Sequence, residues 1–443
     1  MIAKYYQLLK DFINFESSIN IADESKELKK TSKWLKKIFE ENKLNSEIIE
    51  GYGNSIVYAE YENNENLPTC LIYGNYDIIE TKKERTWKND PFSLFIGKEK
   101  IYGRGTANNK GQILIHMISI FELIKEKNLG YNIKFIIDGE KTIGSPNTKK
   151  FIEDNKDKLK SDLFLISDGS FINEKPCIGI STRGNIELSL EIQSTENNLD
   201  LETYGGIIPN AIQEMSKLLS KLYGGNQQIN IPYFYYEVED IPFNNILNNK
   251  KIDYDRDNFK KENGIGEIFK DKNNDYFSQI GMKPTVQITD ISLGEDTTPN
   301  KSIIPKSSKA ELTFKIVKKQ DPDKIIKSFQ QRVISNIPDY LKYHISIKNK
   351  SMWTQIDTNN KYYEKVKNLA ENIYKKDLLQ QNMGISIPIL DIIQKEITKN
   401  IIIFPLANND CNYKGINENL NIENIEKGIL FSLNLFSKQT QLF

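Results

Sequence analysis

Histidine is nearly missing from this chain, with only His116 and His344 among 443 residues. A site that uses histidine as metal ligand or general base is therefore confined to two positions. Arginine is scarce as well, at five of the sixty basic residues, and sixty acidic residues cancel the basic ones. Without a basic excess the electrostatic footprint of a nucleic-acid binder is lacking, so no nucleic-acid partner is expected. Three widely spaced cysteines, Cys70, Cys177 and Cys411, are too few and odd in number for a disulfide framework and suit reduced thiols. No apolar run approaches the ~20 residues of a membrane-spanning helix, so no membrane partner is expected. The start, MIAKYYQLLKDFINF, is amphipathic and lacks a signal peptide's apolar stretch and small-residue cleavage site. The expected compartment is the cytoplasm.

What is present suits packed cores: 38% hydrophobic and 10% aromatic residues, in a length that favours two to three domains at ~150 residues each. Amphipathic patterns predict helices over Ile2 to Phe15 and Ser25 to Asn42. Apolar runs at Pro68 to Tyr76, Tyr131 to Ile137 and Leu163 to Ser167 read as buried strands, alternating with a helix over Asn108 to Glu126. This texture predicts an α/β domain with a mostly parallel sheet covered by helices. From Gly184 the pattern becomes α+β, with alternation over Glu187 to Ile192, a helix to Leu222, a long polar stretch read as solvated loops, and strands at Ala310 to Val317 and Tyr343 to Lys348. After Trp353 the α/β texture returns. The expected organisation is a split α/β domain, residues 1–183 and 353–443, with an inserted lid and dimerisation domain at 184–352.

Several segments, in order, carry a resemblance: PTCLIYGNYDIIE, WKNDPFSLFIGKEKIYGRGTANNKG, IIDGEKTIGSPN, Arg183-Gly184, GGIIPNA, IPKSSKAELTFKIVKKQDP and INENL. Together they resemble the co-catalytic di-zinc exopeptidase family of carnosine dipeptidases, aminoacylases and succinyl-diaminopimelate desuccinylases. The long insert is similar to that of the carnosine dipeptidase branch. The resemblance implies two zinc ions, a lid-mediated homodimer, and a peptide-like or amino-acid-like ligand.

At the positions that bind those zinc ions the chain departs from the family. The His of G-H-Y-D is Asn75, followed by the retained Asp77, and the metal-bridging Asp is Asn108. The adjacent glutamates, general base and ligand, are Lys141 and Thr142. The fourth ligand is kept as Asp168, the last His aligns with Lys414, and a lid His that reaches the partner subunit's substrate aligns with Glu202. Asn and Thr are poor zinc ligands and Lys is a cation, so the sequence predicts that both zinc ions are absent and that no cofactor is bound. The substituted set, with two carboxylates and two ammonium groups, carries no net charge, whereas buried carboxylates that lost their metal would repel one another.

The expected function is accordingly a pseudopeptidase that binds a peptide-like or amino-acid-like ligand or a partner, without zinc-dependent hydrolysis. Asn75, Asn108, Thr142, Lys414, Ser386 and Glu202 are its expected binding residues. An alternative is a metal-independent enzyme in which Lys141, Asp77 and Asp168 perform acid/base chemistry on an amide or carbonyl substrate. An atypical metal-dependent dipeptidase is a third reading. A homodimer is expected, or a heterodimer with an active relative. His116, amid apolar residues at helical spacing, reads as structural, as does His344 in a lid strand. Trp87 and Arg104 read as scaffold, Cys411 as an unactivated thiol, and Ile385 as a side chain crowding the loop that approaches a ligand's carboxylate.

Overall fold

The computed structural model describes residues 1–19, 26–81, 87–225, 228–252, 254–269, 275–293 and 302–438. Its largest feature among these is a nine-stranded sheet. Four central strands run parallel, in the order Asn132–Asp138, Thr69–Asn75, Leu163–Ile166, Ile401–Ile403. Ile56–Tyr61 and Asn45–Ile49 extend one side antiparallel, and Cys177–Thr182 extends the other, where it pairs with Leu379–Met383 and Thr354–Gln355.

Strand alternation sends side chains into two separate cores. Cys70 and Ile72 face the cluster that includes helices Ile2–Asn14, Lys26–Glu41, Lys110–Lys125, Lys361–Tyr374 and Ile422–Phe436, while Leu71 and Tyr73 face Phe151, Ile389 and Leu390 on the other side. The sheet is thus covered on both faces, as near-continuous apolar strands require. Helix Lys110–Lys125 is apolar nearly all round and buried along almost its whole length. Gly111 opens it where the backbone must pass close, since a Cβ there would lie 2.0 Å from Thr106 O.

Midway along this helix, His116 is fully buried between Ser432 Oγ, 3.0 Å from Nδ1, and Ser167 Oγ, 2.8 Å from Nε2. Both ring nitrogens are satisfied inside the core, which makes this histidine structural. His344 lies exposed in strand Lys342–Ser351, against Ser346. All three cysteines are buried free thiols.

A second, antiparallel sheet has the order Thr285–Leu293, Ser307–Ile316, Gly184–Gln193, Lys342–Ser351. Ile186, Leu188, Leu190 and Ile192 alternate into its own core beneath helices Ala211–Ser220 and Pro322–Ile334. Capping residues start both helices: Asn210 accepts from the N–H groups of Ile212 and Gln213, and Asp321 from that of Asp323. The polar stretch expected to be loop is in part helical, at Phe243–Asn249, Arg256–Asn263 and Tyr276–Met282. Asp255 and Asp275 cap the last two, so local capping overrides the polar composition. In the C-terminal part, a short helix at Leu390–Ile392 runs into a π-turn at Ile393–Ile397. Ser25, the expected start of the second helix, lies outside the described residues. No described helix is long and apolar enough to cross a membrane.

Candidate functional site

In a parallel sheet, ligands bind in the crevice beyond the carboxyl ends of the strands. Three chemical groups stand at that edge here. Asn75 and Asp138 end adjacent strands in direct register, and Asp168 follows the end of Leu163–Ile166. Two flanking loops bring the rest. The 3-10 turn Lys141–Ile143 follows Asp138, and the loop at 412–417 comes over from the C-terminal part of the chain.

Asp77 is fully buried, and its two oxygens accept from Asn75 Nδ2 at 2.9 Å and from the Thr142 N–H at 2.6 Å. Burial first, then the neighbouring Asp138 carboxylate, push its pKa up to about 6. Asn75 also donates to Asp77 O, and its own Oδ1 is buried with no protein partner among the described residues. That orientation is dictated by the two acceptors, so a buried acceptor is left unused.

Asp168 takes a different environment. Lys141 Nζ pairs with its Oδ2, and the side chains are 9% and 3% exposed. Its Oδ1 accepts from the Tyr413 hydroxyl and, at 3.0 Å, from the Gly169 N–H. Burial alone would raise this carboxyl, but the Lys141 charge and these hydrogen bonds hold it below the ordinary carboxylate range. Tyr413 lies beside Asn108 as well, with its hydroxyl 2.8 Å from Oδ1.

Sequence reasoning missed Tyr413. Asn412, Lys414 and Asn417 all have left-handed backbones, which reverse the chain and turn Tyr413 toward Asp168. Neighbouring Lys414 is solvent-exposed at this edge, and the surrounding protein and then the Lys141 ammonium lower its pKa. Among the described residues it forms no ion pair with Asp77 or Asp168. Of the two lysines at this edge, Lys141 alone pairs with one of these carboxylates among the described residues.

A second missed residue is Lys315. It projects from strand Ser307–Ile316 to Ser386 Oγ at 3.0 Å, while Ser386 donates to Gly184 O at 3.3 Å. Burial, then Arg183 nearby, bring its pKa down to about 8. Ile385, expected to crowd this loop, instead packs partly buried against the core of the large sheet. Glu202 stands exposed on the short helix Leu201–Tyr204 and is not gathered into the cleft of a single chain.

Glu418 anchors the loop. It is fully buried, with the Arg104 guanidinium at 2.9 Å and the N–H groups of Gly105, Ala107 and Asn108 on its other oxygen. Arg104 also lies over the Trp87 ring, which agrees with a scaffold role for both. Cys411 is buried, and burial pushes its thiol up to about 12, which leaves little thiolate at neutral pH.

A co-catalytic metal pair needs deprotonated donors and a bridging group. Here the Asp168 oxygen carries an ammonium, Asn75 directs its amide nitrogen at Asp77, and Asn108 offers only an amide, whose oxygen accepts from the Tyr413 hydroxyl. No group of three or more His, Cys, Asp and Glu residues able to hold a metal ion occurs among the described residues. The side chains at this edge do not fit such a pair.

A model of the peptidase family M20/M25/M40 matches residues 71–438. The β-Ala-His dipeptidase of Rattus norvegicus is 25% identical over 382 residues, covering 84% of this chain and 77% of that protein. The Cys-Gly metallodipeptidase dug1 of Schizosaccharomyces pombe is 24% identical over 386 residues, covering 84% and 80%. Among solved structures, the di-peptidase Dug1p of Saccharomyces cerevisiae superposes with a TM-score of 0.89 at 18% identity, covering 99% of this chain and 97% of that one. The last likeness extends the match to the whole fold. These relatives correct the expectation that no cofactor is bound: a protein named a metallodipeptidase points to a metal cofactor rather than none.

Proposed function

Because the chain belongs to the peptidase family M20/M25/M40, with the carnosine dipeptidases among its relatives, we propose that it keeps the family's cleft for binding a peptide-like or amino-acid-like ligand without zinc-dependent hydrolysis. The observation that carries this reading is the Lys141–Asp168 ion pair at the carboxyl edge of the sheet. It places a cation on the one retained ligand carboxylate and removes the general base from the position next to Thr142. Asn75 Oδ1 supplies a buried acceptor for a ligand N–H, and Asn108 and Thr142 line the same edge. Lys414 and the Lys315–Ser386 pair supply cationic partners for a carboxylate.

Hydrolysis by this family's chemistry needs a metal to lower the pKa of water and a base to accept its proton. The expected result is no turnover of Cys-Gly, β-Ala-His or acyl-amino acids with added zinc, manganese or cobalt, measured by release of free amino acid. Chelator-sensitive turnover that Asp168→Ala abolishes would overturn the reading. One feature favours a second reading, a metal-independent enzyme: Asp77 is fully buried beside Asp138, which pushes its carboxyl up to about 6, within reach of general acid/base work. Chelator-insensitive turnover lost in Asp77→Asn would establish it.

The reading includes the division of the chain into 1–183 with 353–443 and a lid at 184–352, and a homodimer formed through the lid, with a heterodimer as the variant case. Helix Ala211–Ser220 and the GGIIPNA segment support this, since Ile207 and Ile212 are exposed apolar side chains there. Light scattering at micromolar concentration should give twice the chain mass. A monomer mass would refute the homodimer.

A further inference from the structure

Strand alternation gives the small sheet an apolar face over its own core and a polar face that carries Asn185, Glu187, Lys315 and Asn349. That polar face roofs the cleft. A Cβ on Gly144, at the end of the turn that bears Lys141, would lie 1.8 Å from Asn349 Nδ2. Lys315 reaches the loop at 384–386, which follows strand Leu379–Met383 of the large sheet. Four cations therefore border one cleft, Arg183 and Lys315 at that loop and Lys141 and Lys414 at the carboxyl edge of the large sheet.

The cations are unequally matched. Lys141 has the Asp168 carboxylate, whereas Arg183, Lys315 and Lys414 form no ion pair among the described residues. Lys315 Nζ has only the Ser386 hydroxyl, at 3.0 Å, and Arg183 uses Nε and one terminal nitrogen on the carbonyls of Gly384 and Lys283, at 2.9 and 3.3 Å. Its other terminal nitrogen lies 3.5 Å from where a Cβ on Gly384 would stand, so the guanidinium flanks the same loop as Lys315. The neighbouring carboxylates are already engaged: Asp168 by Lys141 and Tyr413, Asp77 by Asn75 and the Thr142 N–H, and Glu187 by Asn185 Nδ2 at 2.7 Å. Elsewhere on the small sheet lysines do find carboxylates, since Lys309 and Lys348 both meet Glu311. The unmatched cations also act on one another. Burial, then Arg183, lower the Lys315 pKa, with Lys414 acting in the same direction, and Lys141 lowers that of Lys414 after the surrounding protein.

Like charges gathered without counter-ions raise the free energy of the cleft, and an anion that reaches them lowers it. The unmatched cations stand in two places, on the 384–386 loop and on the 412–417 loop, so a single carboxylate satisfies one and leaves the other. We propose that the cleft selects a ligand with two carboxylates, a peptide or acyl derivative that ends in glutamate or aspartate. The terminal carboxylate meets Lys315 and Arg183 beside Ser386, and the side-chain carboxylate meets Lys414. This selectivity rests on the ligand-binding role proposed for the cleft and names the class of ligand it takes.

Calorimetric titration of the full chain with Gly-Glu and Gly-Asp, against their near-isosteric neutral counterparts Gly-Gln and Gly-Asn, tests it. At least one acidic peptide should bind about tenfold or more tighter than its amide, because only the carboxylate gains a charge-assisted contact. Lys414→Met, a change at an exposed residue, should bring that ratio to about one. Lys315→Met should instead weaken acid and amide by a similar factor and keep the ratio, since both peptides share the terminal carboxylate. Equal binding of acids and amides by the unaltered chain would overturn the selectivity while leaving the ligand-binding role intact, and so would a ratio that survives Lys414→Met. Absence of binding by all four peptides would overturn that role and the selectivity together.

Discussion

Replacing Lys141 with alanine should destabilise the protein by on the order of 3 kcal/mol, because it strands a buried carboxylate. Asp168 is 3% exposed and would keep only the Tyr413 hydroxyl and the Gly169 N–H. The loss should appear as a lower urea midpoint with an unchanged m-value. Asp168→Asn in the same background should return most of it, since a neutral amide needs no counter-charge. If Lys141→Ala leaves the midpoint unchanged while abolishing a metal-independent turnover, the lysine is an acid/base group and the binding reading fails. A variant unaltered in both stability and ligand binding would make the aligned site a relic. The size of the expected effect follows from burial, since an exposed pair of the same length would contribute ~1 kcal/mol or less.

A second large effect concerns acid. His116 is buried between two serine hydroxyls and no carboxylate, and burial brings its pKa from 6.5 down to about 3. The folded state therefore holds a neutral ring while the unfolded chain takes up a proton below the ordinary histidine value. With a depressed folded pKa, the contribution is fully present above pH 6.5 and declines as pH falls toward about 3. By pH 5 this one residue should have cost about 2 kcal/mol relative to neutral pH. Comparing wild type with His116→Gln across that range isolates the term: the stability gap should close as the pH drops. A gap independent of pH would mean that the ring takes up its proton as readily in the folded state as in the unfolded chain, so that burial does not lower its pKa.

The two groups differ in how visible they were beforehand. His116 was readable because GQILIHMISIFELI places it among apolar residues at every helical neighbour, so any fold that buries this helix buries the ring. Lys141 was readable only as a substitution within a recognised motif. That it pairs with Asp168 depends on the 3-10 turn at Lys141–Ile143 standing against the end of another strand, 27 residues on. Periodicity carries no information about contacts of that kind.

Sequence alone was sufficient for the α/β class, the inserted α+β segment and the family. These depend on local patterns of apolar spacing and on motif order, which survive at low identity. Tertiary structure alone decided which of the altered residues meet. It put Tyr413 rather than Lys414 on Asp168, because three left-handed residues turn that loop. It set Lys315 on Ser386 across the junction of the two sheets, and it left Glu202 outside the cleft of a single chain. It also separated two aspartates of identical chemistry. Asp77 is buried near a like charge and drawn up, while Asp168 is buried against a cation and drawn down. Charge, burial and hydrogen bonding act over a few ångströms in space, and residues 27 to 305 positions apart come within that range only once the chain has folded.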